Sequence, residues 1–220
     1  MNLKYKILFI DHDDTSVDST PSIHYPAHLE VMEKLRPNIK PVDLERWYEI
    51  NFDPGIMSYL TEELGLDAKE MEEEFRIWRK HADAKVPEFF PGFKELLRDY
   101  QKAGGLICVI SHSENKHISD FYQNSEIVPD GIYGWDNDPE KRKPSPWPII
   151  DFLARKNLKP GDGLVLDDLK PGLEMARKAG CDFCAAAWAH DVPKIREHMQ
   201  THADYYAREI YNLRNIIFSG

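Results

Sequence analysis

The sequence predicts an α/β fold, a doubly wound parallel sheet that carries an inserted helical subdomain. Three observations predict it. Short apolar runs alternate with helical patterns over residues 88–200. Those runs are bounded by polar residues or glycine, as buried parallel strands are. From about Ser16 to Phe90 the alternation stops, and the spacing is helical with no convincing strand. A chain of 220 residues is long enough for one sizeable core with a second unit set into it.

The first strand is Lys6-Ile7-Leu8-Phe9-Ile10, and it stops abruptly in Asp11-His12-Asp13-Asp14-Thr15. Three carboxylates thus crowd its carboxyl end, where open α/β sheets place their sites. Like charges that close repel unless something neutralises them. A hard cation such as Mg²⁺, which prefers oxygen ligands, is the economical solution. Helical spacing follows over 27–35, 41–51, 56–64 and 68–81, a block too long for a loop. Its last helix sets Glu70, Glu72, Glu73 and Glu74 ahead of Arg76, Arg79 and Lys80, which suits the helix dipole. Pro87 and Phe89-Phe90-Pro91-Gly92 mark the return, before a helix over 93–103 closed by Gly104-Gly105. Strands are then expected at 106–110, 163–166 and 183–188, with helices at 115–123, 146–156 and 172–179. Gly180 ends the last of these helices as a glycine stop. There is no internal repeat and no low-complexity tract.

Composition narrows the function. The formal charge of −10, with no basic stripe, argues against a nucleic-acid partner. No apolar run reaches the length of a membrane span. The lysine-flanked run near the N-terminus ends in acid and lacks a small-residue cleavage site, so a cytoplasmic protein is expected. No obligate protein partner is evident. An odd count of three cysteines fits a reducing compartment. Cys181 and Cys184 spell C-x-x-C, but a zinc site would want a second pair. Cys108, Cys181 and Cys184 read as small buried hydrophobes.

Three further polar points fall at strand ends or helix starts. The strand at 106–110 runs into Ser111-His112-Ser113, Lys143-Pro144-Ser145-Pro146 opens a helix, and the strand at 163–166 ends in Asp167-Asp168. In a parallel sheet such ends share one edge with Asp11. The inventory at that edge would be carboxylates, a hydroxyl, a lysine and a second acidic pair.

These four segments, in this order, resemble the motifs of the haloacid dehalogenase superfamily. Asp11-His12-Asp13-Asp14-Thr15 is similar to D-x-D-x-T, Ser111 to the strand-terminal Ser/Thr, Lys143-Pro144-Ser145-Pro146 to K-P-x-P, and Asp167-Asp168 to the terminal acidic pair. The segment from Pro91 to Leu97 and the stretch from Asp168 to Gly180 resemble the family's flanking sequence. The likeness implies a Rossmann-like core over 1–15 and 88–220. It also implies a helical cap over 16–87, in the slot of the C1 caps of the phosphoglycolate phosphatase and β-phosphoglucomutase-like branch.

The resemblance implies roles residue by residue. Asp11 would be the nucleophile, forming an aspartyl-phosphate. Asp13 would protonate the leaving oxygen and then activate water. Mg²⁺ would be held by Asp11, the Asp13 carbonyl and Asp168, with Asp167 adjacent. Composition alone does not rank Asp167 against Asp168. Ser111 would bind a phosphoryl oxygen and Lys143 would neutralise charge on phosphate and Asp11. His12 and Asp14 depart from the usual apolar residue and glycine without removing a catalytic group. His112, His24 and Asn51 are substrate-binding candidates, with Tyr25 and Arg46 beside them, and His190 could edge the site. The implied activity is magnesium-dependent hydrolysis of a small phosphorylated metabolite. A β-phosphoglucomutase-like transfer and a catalytically silent binding protein are the alternatives.

Overall fold

The computed structural model describes residues 2–219; Met1 and Gly220, the ends of the expected core, lie outside the described residues. In chain order, β1 (Asn2–Leu3), β2 (Ile7–Ile10) and β3 (Val17–Asp18) precede α1 (Tyr25–Leu35), α2 (Leu44–Phe52), α3 (Ile56–Ser58) and α4 (Ala68–Ala84). Then come β4 (Glu88–Phe89), α5 (Phe93–Lys102), β5 (Leu106–Ile110), α6 (Asn115–Gln123) and β6 (Gly131–Tyr133). The rest is α7 (Trp147–Lys156), β7 (Gly163–Asp167), α8 (Lys170–Ala179), β8 (Asp182–Ala186), α9 (Pro193–His202), β9 (Tyr205–Ala207), α10 (Ile210–Ile217) and β10 (Phe218–Ser219). The chain forms two compact units, Met1–Val17 with Phe89–Gly220 and Asp18–Glu88, where the sequence expectation put its borders at 15/16 and 87/88.

The larger unit is built on six parallel strands in the order β6-β5-β2-β7-β8-β9. The register decides where the polar residues go. Ile10 stands opposite Val109 of β5 and Leu166 of β7, so the three strands end level with one another. Everything that follows them in sequence therefore leaves the sheet at one rim.

Alternation of side chains across the pleat buries both faces. Leu8, Ile10, Ile107, Val109, Leu164 and Leu166 pack with Leu96, Leu97 and Tyr100 of α5, Ile118 and Tyr122 of α6, and Leu213 and Ile217 of α10. Phe9, one residue out of phase, meets Phe152 of α7 edge-on at 5.8 Å between ring centroids. Each such side chain contributes about 1.5–3 kcal/mol by leaving water.

The smaller unit is helical and has its own core of Met32, Trp47, Ile50, Tyr59, Leu60, Leu64 and Leu66. Its starts are set by caps. Asp43 accepts from the Arg46 N–H at 2.9 Å, so α2 begins at Leu44 and not at Pro41. Asp67 and Glu70 form a reciprocal capping box at the head of α4, which continues past His81 to Ala84. The helix expected over 56–64 is broken into α3 and a wide turn over Tyr59–Glu63.

Several short elements had no sequence expectation: β1, β3, β4, β6, β9 and β10, and the helices α9 and α10. The strand expected over 183–188 starts at Asp182 and ends at Ala186. Cys108, Cys181 and Cys184 are buried free thiols. Among the described residues no helix is long and apolar enough to cross a membrane.

Candidate active site

The rim above β2, β5 and β7 gathers the polar residues. The Asp11 N–H continues the ladder by donating to the Leu166 carbonyl at 2.9 Å, so the first acid leaves β2 with its backbone still fixed to β7. The loop beyond it is tied down on every side. The Asp11 carbonyl accepts from the Ser16 hydroxyl at 2.6 Å, the Thr15 carbonyl accepts from the Trp188 indole at 3.0 Å, and Asp14 N–H donates to the Val17 carbonyl at 2.8 Å. Asp14 has a φ of 54°, the left-handed conformation in which glycine is commonest and aspartate is better tolerated than most residues. His12 is buried against the rings of Phe121 and Tyr122, with centroids 5.1 and 5.7 Å away. Its departure from an apolar residue is absorbed by aromatic packing.

Lys143 is the centre of the charge arrangement. Its ammonium lies 2.9 Å from Asp11 Oδ1 and 2.7 Å from Asp167 Oδ2, with all three side chains buried. Burial alone would lower the Lys143 pKa, but Asp11 and Asp167 beside it push it up. The ammonium is thus charged at any working pH. Asp167 has its other oxygen engaged too, since Oδ1 accepts from the Leu169 N–H at 2.9 Å.

Asp168 is placed differently. Its Oδ1 accepts from the Thr15 hydroxyl at 3.2 Å, while its buried Oδ2 accepts no hydrogen bond and lies 3.4 Å from His190 Nε2. One oxygen each of Asp11, Asp167 and Asp168 fall within 4.8 Å of one another. Among the described residues, three buried carboxylates therefore share a single buried ammonium. Burial pushes Asp11 well above the usual carboxylate range, against the opposing pull of Lys143. Burial and then the charge of Asp167 do the same to Asp168. This donor set suits a hard divalent cation: oxygen ligands, excess negative charge and an Asp168 oxygen with no hydrogen bond.

Ser111 and Ser113 lie beyond β5. The Ser111 hydroxyl donates to Asp13 Oδ2 at 3.3 Å and accepts from the Ser113 N–H at 3.0 Å. The Ser113 hydroxyl donates to the same Asp13 oxygen at 2.6 Å. Sequence reasoning singled out Ser111 and passed over Ser113, because a serine in a loop carries no spacing signal. Thr15 belongs to the D-x-D-x-T segment, but its bond to Asp168 joins residues 153 apart and had no signal in the sequence.

The structure brings Asp11, Asp13, Ser111, Lys143, Asp167 and Asp168 to one rim. His112 is exposed beside them, with its Nε2 3.1 Å from the Lys143 carbonyl. His190 edges the cluster, and burial lowers its pKa. His24 and Asn51 belong to the helical unit. The Trp78 indole N–H donates to His24 Nδ1 at 3.0 Å, and the Asn51 amide donates to the Trp47 carbonyl at 2.8 Å. Tyr25 donates to the Val42 carbonyl and Arg46 pairs with Glu49, so these candidates are engaged with partners inside the helical unit.

Comparison with known proteins gives a consistent result. Residues 7–186 match the family model of haloacid dehalogenase-like hydrolases. A phosphoglycolate phosphatase of Vibrio vulnificus is 24% identical over 188 residues, covering 80% of this chain and 81% of its own. A putative haloacid dehalogenase-like hydrolase from Bacteroides fragilis superposes with a TM-score of 0.78 at 23% identity, covering 96% of this chain and all of the other. A haloacid dehalogenase-like hydrolase from Streptococcus pneumoniae gives a TM-score of 0.76 at 24% identity, covering 96% and 97%.

Proposed function

The chain belongs to the haloacid dehalogenase-like hydrolase family, and on that premise we propose that it is a divalent-metal-dependent phosphatase. Its substrate would be a small phosphomonoester, cleaved through an aspartyl-phosphate. The observation that supports this most is Lys143, held at 2.9 Å from Asp11 and 2.7 Å from Asp167 at the rim where four sequence-distant segments meet.

Asp11 is the nucleophile. Burial favours its neutral form, and a neutral carboxyl does not attack phosphorus; the adjacent ammonium opposes that shift, and a bound cation would oppose it further. Its carboxylate oxygen bonds to phosphorus, and the ester bond breaks with its electron pair going to the leaving oxygen. Asp13 gives that oxygen a proton. Asp13 then takes a proton from the water that attacks the phosphoenzyme, which frees Asp11 and phosphate. Placed acid/base groups of this kind contribute ~10²–10⁴-fold. Ser111 and Lys143 hold the phosphoryl oxygens.

Asp11, Asp168 and the Asp13 carbonyl would hold Mg²⁺. When bound, the ion offsets repulsion between the carboxylates and the incoming phosphate. Asp167, with both oxygens already accepting, serves to fix Lys143. Exposed His112 is the substrate-facing candidate at this rim. The named activity of the Vibrio relative makes phosphoglycolate the first substrate to try.

The test is release of p-nitrophenolate from p-nitrophenyl phosphate, with Mg²⁺ and then with excess EDTA, followed by a panel of phosphomonoesters. Turnover should need the metal, and Asp11→Asn should abolish it while far-ultraviolet circular dichroism stays that of wild type. Metal-independent turnover, or an active Asp11→Asn, would falsify the reading.

A further inference from the structure

We propose that Ser113 is a positioning residue that holds the Asp13 carboxylate through both chemical steps. The proposal rests on the aspartyl-phosphate reading above and adds to it the device that aims the acid/base.

Two serines donate to one oxygen of Asp13, and they are not equivalent. Ser113 Oγ is 2.6 Å from Asp13 Oδ2, and Ser111 Oγ is 3.3 Å away. A hydroxyl has one proton to give. Once Ser111 turns that proton toward a phosphoryl oxygen, it no longer holds Asp13. Ser113 then keeps the carboxylate in place.

Ser113 is built for that task. It is 6% exposed, and its backbone is pinned at both polar atoms. Its N–H donates to Ser111 Oγ at 3.0 Å, and its carbonyl accepts from the Trp135 N–H at 2.8 Å. Gly134 lies so close that a Cβ there would strike the Ser113 carbonyl and the start of α6. The hydroxyl thus starts from a fixed anchor, and a short side chain leaves it few rotamers to lose. Asp13, by contrast, stands on a loop and is only half-buried. Its direction is set by what its carboxylate accepts.

The consequence separates the two steps. p-Nitrophenolate is a good leaving group and needs little protonation, so phosphorylation of Asp11 tolerates a misaimed Asp13. Hydrolysis of the phosphoenzyme does not, because water must lose its proton to Asp13. An ångström of misplacement lowers a rate by up to ~10²-fold.

The experiment is stopped-flow release of p-nitrophenolate by wild type, Ser113→Ala and Ser113→Thr, with melting temperatures measured alongside. Ser113→Ala should show a burst approaching one equivalent per chain, then a steady rate lowered about 10- to 100-fold. Its activity on alkyl phosphates, whose leaving group needs the acid, should fall further than on p-nitrophenyl phosphate. Ser113→Thr, which keeps the hydroxyl, should return the steady rate to within a few-fold of wild type. Active wild type with an unchanged Ser113→Ala, or one slowed without a burst, overturns the role of Ser113 and leaves the phosphatase reading standing. Inactive wild type overturns both.

Discussion

Asp167 and Asp168 are adjacent and chemically identical, yet their surroundings give them different work. The fixed strand end points Asp167 at Lys143 and the Leu169 N–H, while Asp168 keeps an oxygen that accepts no hydrogen bond. His28 in α1 shows the opposite case, a polar ring with nothing to do but pack. It is 3% exposed, neither ring nitrogen has a hydrogen-bond partner, and it stacks on Trp47 at 4.2 Å. Burial lowers its pKa from 6.5 to about 4. Above about pH 6.5 the ring is neutral in both folded and unfolded chains, and pH has no leverage. Between about 6.5 and 4 the unfolded chain takes a proton that the fold refuses, so stability falls as pH falls. The full effect has a ceiling of about 3 kcal/mol. In urea melts the advantage of His28→Phe over wild type should therefore grow by about 2 kcal/mol from about pH 7 to about pH 5. A gap that stays constant with pH would show that the ring already takes up its proton in the fold. The sequence could not rank Asp167 against Asp168, because composition does not say which carboxylate meets the lysine. Nor could it separate a buried His28 from an exposed one on a helix of mixed polarity.

At the level of elements, the first turn of α8 is the part most tightly coupled to the site. It starts at Lys170, directly after the acidic pair, and Gly172 brings its backbone against Asp167. A methyl on Gly172 would overlap the Asp167 carboxylate, the group that holds Lys143. Gly172→Ala should therefore lower kcat at least ~10-fold, through a displaced lysine, while far-ultraviolet circular dichroism stays that of wild type. A Gly172→Ala enzyme with normal kcat would show that Asp167 can move without taking Lys143 along. The central strands β2, β5 and β7 were legible in the sequence because they are buried on both faces and so are continuously apolar. Gly131–Tyr133 and Tyr205–Ala207 were not. They are three-residue edge strands, each with a single buried side chain (Tyr133 and Ala207), and no run of that length stands out from a loop. The boundaries of α2 and α4 depend on single side-chain caps at Asp43 and Asp67, which apolar spacing does not report.

For the whole molecule the governing quantity is charge. A chain with a formal charge of −10 repels anions at long range, and a rim that takes up phosphate as proposed must overcome that field locally. Among the described residues Lys143 is the one buried ammonium against Asp11, Asp167 and Asp168, which leaves the cluster with excess negative charge before any substrate arrives. That excess works against the fold, as the raised pKa of Asp11 and of Asp168 indicates. A divalent cation that binds only the folded chain would relieve it and shift the unfolding equilibrium by mass action. At a free concentration of about 100 times Kd the gain is about 2.7 kcal/mol. For a chain of this size that corresponds to a rise of about 5–10 °C in melting temperature. Adding Mg²⁺ to EDTA-treated protein should produce this rise, a second portion of EDTA should reverse it, and Asp168→Asn should lose most of it. Ser111→Ala, which removes no carboxylate, should keep it. A melting temperature indifferent to Mg²⁺ would mean that the buried acids are satisfied by protons and by Lys143 alone, and the metal would have no place in this fold.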